Sequence, residues 1–369
     1  MSSVELLENG LRVRIADELA YFNYFWLRDN CPSAWDKDTQ ERSFDILNEP
    51  DDLRAVHACV VNSELQIEWS GGHKSIYCLD WLIKWHNGVH HGDSAVRTRC
   101  AWYADHYKDL HRFNYQSLFN DPALVADWAE ALLDHGIALV QGLPNTDQGL
   151  SSLCELIGTV RASFSGYVFN VFSKKKPENL AYTAKALELH TDLPAEELAP
   201  GVQFLHCRVN DASGGDSLFV DALAVANDLK SRNYDYYDVL CNTRTPFRYT
   251  TIDHDVRARQ YIIERDPNNQ EVSGINYSQH MADTFDFKQQ DMDIFYPAFR
   301  TFGKMMQEPK YLMRFRLNAG ECIVFDNHRV AHGRTSFDDG SGDRYLRGCY
   351  VDRGELRSKY RVLRGKYPK

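Results

Sequence analysis

Alternation of apolar and polar positions, with β-branched and aromatic residues on the apolar ones, runs through most of the chain. Near the amino terminus LRVRIA (11–16), QIEWS (66–70) and KSIYCLD (74–80) read as short strands, with Gly71-Gly72 making a hairpin turn. The stretch 87–99 (NGVHHGDSAVRTR) is polar, rich in turn residues and aperiodic, which predicts a boundary. Beyond it, DWAEALLDHG repeats its apolar residues at helical spacing until Gly136 stops it. GIALVQGL then reads as a buried strand, and LSSLCELIG as a short helix closed by Gly158. From about Ala181, strand signals dominate: GVQFLHCRV, SLFVDA, PFRYTT, RQYIIER, ECIVFD and RYLRGCYVD. Two helical stretches interrupt them, ALAVANDLKSR and DMDIFYPAFRTFGKMMQEP. Many short strands with few crossover helices favour an antiparallel barrel or jelly roll over a parallel α/β sheet. The expected class is therefore mainly β (α+β), with a small β-rich domain over 1–90, a linker over 91–125 and a second domain over 126–369. The basic tail KYRVLRGKYPK is expected to be a solvated end.

Composition narrows the function. The 369 residues suit two domains at ~100–200 residues each. No stretch approaches the ~20 apolar residues of a membrane span. The balance of 42 Lys+Arg against 52 Asp+Glu, a net charge of −10, argues against nucleic acid or an anionic membrane as partner. The start, MSSVELLENG, has neither a basic nor an apolar region of a secretory signal. Nine cysteines, an odd count without a C-x-x-C pair, fit free thiols in a reducing cytoplasm better than a disulfide framework. The 20 Tyr, 19 Phe and 7 Trp are mostly core and sheet residues, with some free to line a pocket.

Chemistry concentrates at His190-Thr191-Asp192. On an extended segment, residues two apart share a face, so the imidazole and the carboxylate can reach one ion. H-x-D alone is weak: a second copy, His91-Gly92-Asp93, lies in the polar stretch and reads as solvated loop. A third ligand from FDNHRVAHGR strengthens the first copy. Either His328 or His332 can supply it, because they differ by four and strand parity does not separate them. Two histidines and one carboxylate leave coordination positions open and suit Fe(II) used with oxygen, though zinc accepts the same set. In RYLRGCY, Arg344, Leu346, Gly348 and Tyr350 share one strand face while Arg347 points the other way. A buried guanidinium there calls for a carboxylate, which a dicarboxylic acid supplies.

HTDLP, PGVQFLHC, the turn Gly214-Gly215-Asp216-Ser217, FDNHRVAHGR and DRYLRGCYVDR together resemble the γ-butyrobetaine and trimethyllysine dioxygenases. These are Fe(II)/2-oxoglutarate enzymes with a double-stranded β-helix (jelly-roll) domain. FNYFWLRDNC and GGHKSIYCLDWL resemble the small domain that precedes it. The resemblance implies that His190, Asp192 and His332 hold iron, and that Arg344 grips 2-oxoglutarate beside Leu205. The implied reaction couples oxidation of 2-oxoglutarate, to succinate and carbon dioxide, to hydroxylation of a C–H bond. It further implies a trimethylammonium cage of Phe169, Tyr182 and Tyr350, with Asn179 on the substrate's anionic end. Ascorbate as a stimulant and a homodimer follow from the resemblance alone.

Three features depart from the pattern. The family's small domain binds zinc through a cysteine cluster and a histidine; this chain keeps Cys31 and His73 but has Ser33 and Asp36 where cysteines are expected, which predicts no structural zinc. Ser165 replaces a cage aromatic, a loss that Tyr167 could make good, and Ser278 stands where an asparagine helps hold the substrate carboxylate. The expected substrate is γ-butyrobetaine and the product carnitine. The alternative is (2-trimethylammonioethyl)phosphonate, whose more highly charged head favours hydroxyl or cationic donors. A reading of another class is a non-catalytic metal-binding or sensor protein on the same fold.

Overall fold

A computed structural model describes residues 4–15, 18–86, 88, 93–164, 166–173 and 180–366. The chain divides into two compact units, Met1–Asp93 and Ser94–Lys369.

In the smaller unit, Val4–Leu6, Gly10–Ile15 and Glu18–Asn23 form one antiparallel sheet, and Ala55–Val61, Glu64–Trp69 and Lys74–Cys78 another. Alternation decides what is buried: Leu65, Ile67 and Trp69 point inward with Leu11, Val13 and Tyr77. The last hairpin turns through Gly72, whose φ of 80° favours a residue without Cβ.

The larger unit is built on two facing sheets. In the large one, Phe169–Val171, Arg344–Val351, Val202–Asn210, Glu321–Asp326, Ile137–Gln141 and Arg112–Asn114 lie in that order, and Val160–Arg161 also pairs with Arg344–Val351. All these pairings are antiparallel except Arg112–Asn114 with Ile137–Gln141. The smaller sheet is antiparallel throughout, in the order Leu187–His190, Val330–Arg334, Ser217–Asp221, Met313–Phe315. Leu205, Cys207, Phe219, Ile323, Phe325 and Leu346 fill the space between them. On the outer face of the large sheet, Val202, Phe204, Cys322, Val324, Cys349 and Val351 pack against Trp128 of helix Pro122–His135 and Tyr360 and Leu363 of helix Arg353–Lys366. Strands buried on both faces explain why several read as nearly continuous apolar runs. The helix Gln289–Met306 and its neighbours cover the other side of the smaller sheet.

Two expectations are corrected. From Ser94 on, the stretch read as linker belongs to the larger unit. Arg112–Asn114 joins the large sheet, Trp102 and Leu110 are buried, and the Trp102 amide donates to Asp221 Oδ2 at 3.0 Å. Its elements are too short to show a period. The basic tail is likewise helix to Lys366, with Tyr360 buried and Arg364 paired with Asp127 and Glu130 of the facing helix. Helix Tyr234–Asn242, capped by Asn233, is an addition. No helix among the described residues is long and apolar enough to cross a membrane.

Candidate metal centre

The centre sits where the smaller sheet ends. His190 closes strand Leu187–His190, and the antiparallel register sets it opposite His332 on Val330–Arg334. Their rings lie 4.4 Å apart between centroids. Asp192 follows just past the strand, its Oδ1 3.2 Å from His190 Nε2 and 3.7 Å from His332 Nε2. One donor atom from each residue lies within 4.8 Å of the others, a set that fits a single ion. Register thus brings His332, not His328, to the cluster. His328 turns away, its Nε2 3.0 Å from the Ala199 carbonyl oxygen. The H-x-D copy at His91 falls outside the described residues.

Neighbouring groups hold the three candidate ligands in place. His190 Nδ1 faces the Glu188 carbonyl oxygen at 2.8 Å, so a proton there leaves Nε2 as the lone pair turned inward. Tyr350 donates from its hydroxyl to Asp192 Oδ2 at 2.7 Å, leaving Oδ1 for the ion. The Asn327 amide clamps the Asp192 main chain: Oδ1 accepts from the Asp192 amide at 2.6 Å, and Nδ2 donates to its carbonyl at 3.0 Å. The next residue, Leu193, takes φ of 54°, a left-handed conformation uncommon for leucine. Burial pushes His332 down to about 3, reinforced by His190 beside it. Burial works to raise the Asp192 carboxyl, but the two imidazoles and the Tyr350 hydroxyl outweigh it and hold it below the usual carboxylate range. A carboxylate held ionised beside two imidazoles is a donor set that a divalent cation binds.

These three residues open on a cavity of about 80 Å³ that Phe169, Gln203, Leu205, Ser217, Arg334 and Arg344 also line. Arg344 is buried, with no carboxylate partner among the described residues; its Nε donates to the Gly215 carbonyl at 3.3 Å. Burial lowers its pKa to about 10, a sign of how poorly solvated the charge is. A carboxylate entering the cavity meets that need, so the residues fit a keto diacid beside a metal. Sequence reasoning missed Arg334, Ser217, Asn327 and Gln203. Arg334, also buried, donates to the carbonyls of Ala181 and Thr183. Ser217 was quoted only as part of a turn.

The remaining candidates are less concentrated. Phe169 packs on Tyr350 with centroids 5.1 Å apart. Tyr182 is half-buried in the turn Leu180–Tyr182, beside the cavity-lining Ala181. Ser278 is fully buried, its Oγ 3.5 Å from Nδ1 of His280, whose ring packs edge-on against His190 at 4.7 Å. Asn179 and Ser165 lie outside the described residues. In the smaller unit, Cys31 Sγ, Ser33 Oγ and His73 Nε2 lie within 3.5 Å of one another. Asp36 is turned to its own loop, accepting from Asp38 and Thr39. Two strong donors and a hydroxyl do not fit the four-ligand closed site of structural zinc.

Residues 102–350 match the family model described as taurine catabolism dioxygenase TauD, TfdA family, and residues 5–83 match gamma-butyrobetaine hydroxylase-like, N-terminal. A gamma-butyrobetaine dioxygenase of Pseudomonas sp. (strain AK-1) is 36% identical, covering 98% of this chain and 96% of that one. The gamma-butyrobetaine dioxygenase of Homo sapiens is 29% identical over 94% of this chain and 92% of its own. A mitochondrial trimethyllysine dioxygenase of Rattus norvegicus is 27% identical over 96% and 86%. Among solved structures, AAD-2 in complex with Mn(II) and N-oxalylglycine superposes with a TM-score of 0.52 at 13% identity, covering 63% of this chain and 89% of that one. A taurine dioxygenase from Burkholderia xenovorans gives 0.50 at 18%, covering 63% and 82%. At such identities these two likenesses show the fold alone.

Proposed function

The chain belongs to the taurine catabolism dioxygenase TauD, TfdA family and is a dioxygenase, and from that premise we propose that it hydroxylates γ-butyrobetaine to carnitine. The observation that carries this reading is the meeting of His190, Asp192 and His332 in one cavity with the buried, carboxylate-free Arg344. Iron and 2-oxoglutarate, when bound, supply the oxidising chemistry. The chain's own residues bind and orient. His190, Asp192 and His332 hold the metal, while the Tyr350 hydroxyl and the Asn327 amide keep Asp192 aimed. Arg344 takes a carboxylate of the keto diacid, with Leu205 and Ser217 on the same wall. The faces of Phe169 and Tyr350 receive the trimethylammonium group, each ring contributing about 0.5–2 kcal/mol depending on desolvation. Tyr182, Asn179 and Ser278 complete the proposed substrate set.

The buried Ser278, within 3.5 Å of the half-buried His280 and in place of the expected asparagine, is the one feature favouring the phosphonate as substrate. A competition panel read by succinate formation and mass spectrometry separates the two. Carnitine formed only with Fe(II), 2-oxoglutarate and oxygen is the expected result. Equal or greater turnover of (2-trimethylammonioethyl)phosphonate overturns the substrate, and absence of succinate with every candidate leaves the sensor reading. The small domain is proposed to carry no structural zinc, supported by its incomplete donor set; stoichiometric zinc on elemental analysis contradicts this. A cytoplasmic location, supported by nine free cysteines, and a homodimer are further proposals, the latter tested by sedimentation.

A further inference from the structure

Gln203 is 1% exposed and lines the same cavity as the three ligands, yet its side-chain oxygen Oε1 has no hydrogen-bond partner among the described residues. Its strand sets it between Tyr350 on one side and Phe325 on the other. Phenylalanine offers no donor, and the Tyr350 hydroxyl is committed to Asp192. An orphaned buried carbonyl destabilises a protein, and an apolar side chain of similar shape would remove that cost. Its place beside His190, Asp192 and His332 points to a donor that arrives with whatever fills the cavity.

The chemistry of the occupants identifies that donor. Each carboxylate and keto group of 2-oxoglutarate only accepts, and a trimethylammonium group carries no N–H. A divalent cation with three protein ligands fills its open positions with water, whose O–H bonds the cation polarises into strong donors. We propose that Gln203 is a positioning residue whose side-chain carbonyl accepts a hydrogen bond from a water ligand of the metal. This rests on the metal- and 2-oxoglutarate-dependent reading above. Gln203 thereby favours the hydrated resting centre, and a cosubstrate that displaces water must break its hydrogen bond.

Gln203→Leu and Gln203→Met test this with Mn(II) as probe and no turnover. Both variants should melt at a higher temperature than the parent without metal, because the orphaned group is gone. Both should bind Mn(II) roughly two- to tenfold more weakly, the worth of one hydrogen bond. Affinity of the Mn(II)-loaded variants for 2-oxoglutarate should hold or rise. A structural role alone lowers metal-free stability and leaves Mn(II) affinity unchanged, which overturns the proposal. Weaker 2-oxoglutarate binding with unchanged Mn(II) affinity also overturns it, by making Gln203 a cosubstrate contact. If Gln203→Leu fails to fold, the more flexible methionine variant carries the test. Failure of the unsubstituted protein to bind Mn(II) sinks the class reading as well, whereas normal binding with indifferent variants sinks this inference alone.

Discussion

Tyr350 shows how one side chain can serve two purposes that a substitution separates. Its ring packs against Phe169, where the family resemblance sets a cation cage, while its hydroxyl holds Asp192 Oδ2. Tyr350→Phe keeps the ring and removes only the donor. Metal affinity should then fall about 10- to 100-fold, as when other hydrogen bonds to ligating groups are lost, with little change in substrate KM at saturating metal. Anaerobic metal titration checks this; unchanged affinity with a raised substrate KM would return Tyr350 to the cage alone. Arg344→Ala should raise the KM for 2-oxoglutarate far more than that for substrate. Arg344→Lys should recover little, since an ammonium cannot reproduce the two-pronged grip of a guanidinium. The His190–Asp192 pair was legible because H-x-D is a local pattern, whereas the residues alone left His328 and His332 open and only the resemblance favoured His332. Asn327 and Gln203 were not legible, because the groups they meet or lack come from strands more than a hundred residues away.

At the scale of elements, the clearest reading concerned strands and helices with strong local signals. Glu321–Asp326 and Ala222–Arg232 lie at the expected bounds, the latter opened by the Asp221 side chain accepting from the Leu223 amide. The carboxy-terminal helix escaped notice because basic residues dominate it and only Leu356, Tyr360 and Leu363 face the core. Gly348 has a meaning visible only in three dimensions. A Cβ there would lie 2.3 Å from Phe169 Cζ and 3.0 Å from the Phe204 carbonyl oxygen, so its absence makes room for the Phe169 ring beside the cavity. Gly348→Ala should cost about 1–3 kcal/mol by overpacking, measured by denaturant unfolding, and should weaken substrate more than metal. Adding Phe169→Leu should restore part of the stability while substrate affinity stays low. Full recovery of both would mean that the Phe169 ring has no part in binding.

Across the larger unit as a whole, the metal site joins structures that the chain brings together from far apart. His190 and His332 come from the smaller sheet, whereas Tyr350, on Arg344–Val351, and Asn327, just past Glu321–Asp326, come from the large one and aim Asp192. His190 Nε2 and His332 Nε2 lie 3.2 and 3.7 Å from the same oxygen, Asp192 Oδ1, so one divalent ion could be shared by all three. Such an ion would tie Leu187–His190 to Val330–Arg334 and, through Asp192, to Tyr350 and Asn327 of the large sheet's side. Mn(II) with 2-oxoglutarate should therefore stabilise the fold. At a hundredfold excess over Kd, mass action gives about 2.7 kcal/mol. For a domain of this size, that corresponds to a rise in Tm of roughly 5–10 °C. A chelator should reverse the rise, and hydrogen exchange should slow most in Leu187–His190 and Val330–Arg334 and not at all in Met1–Asp93. Protection confined to the Met1–Asp93 unit would place the metal at Cys31 and His73 instead, and the catalytic assignment of His190, Asp192 and His332 would fall with it.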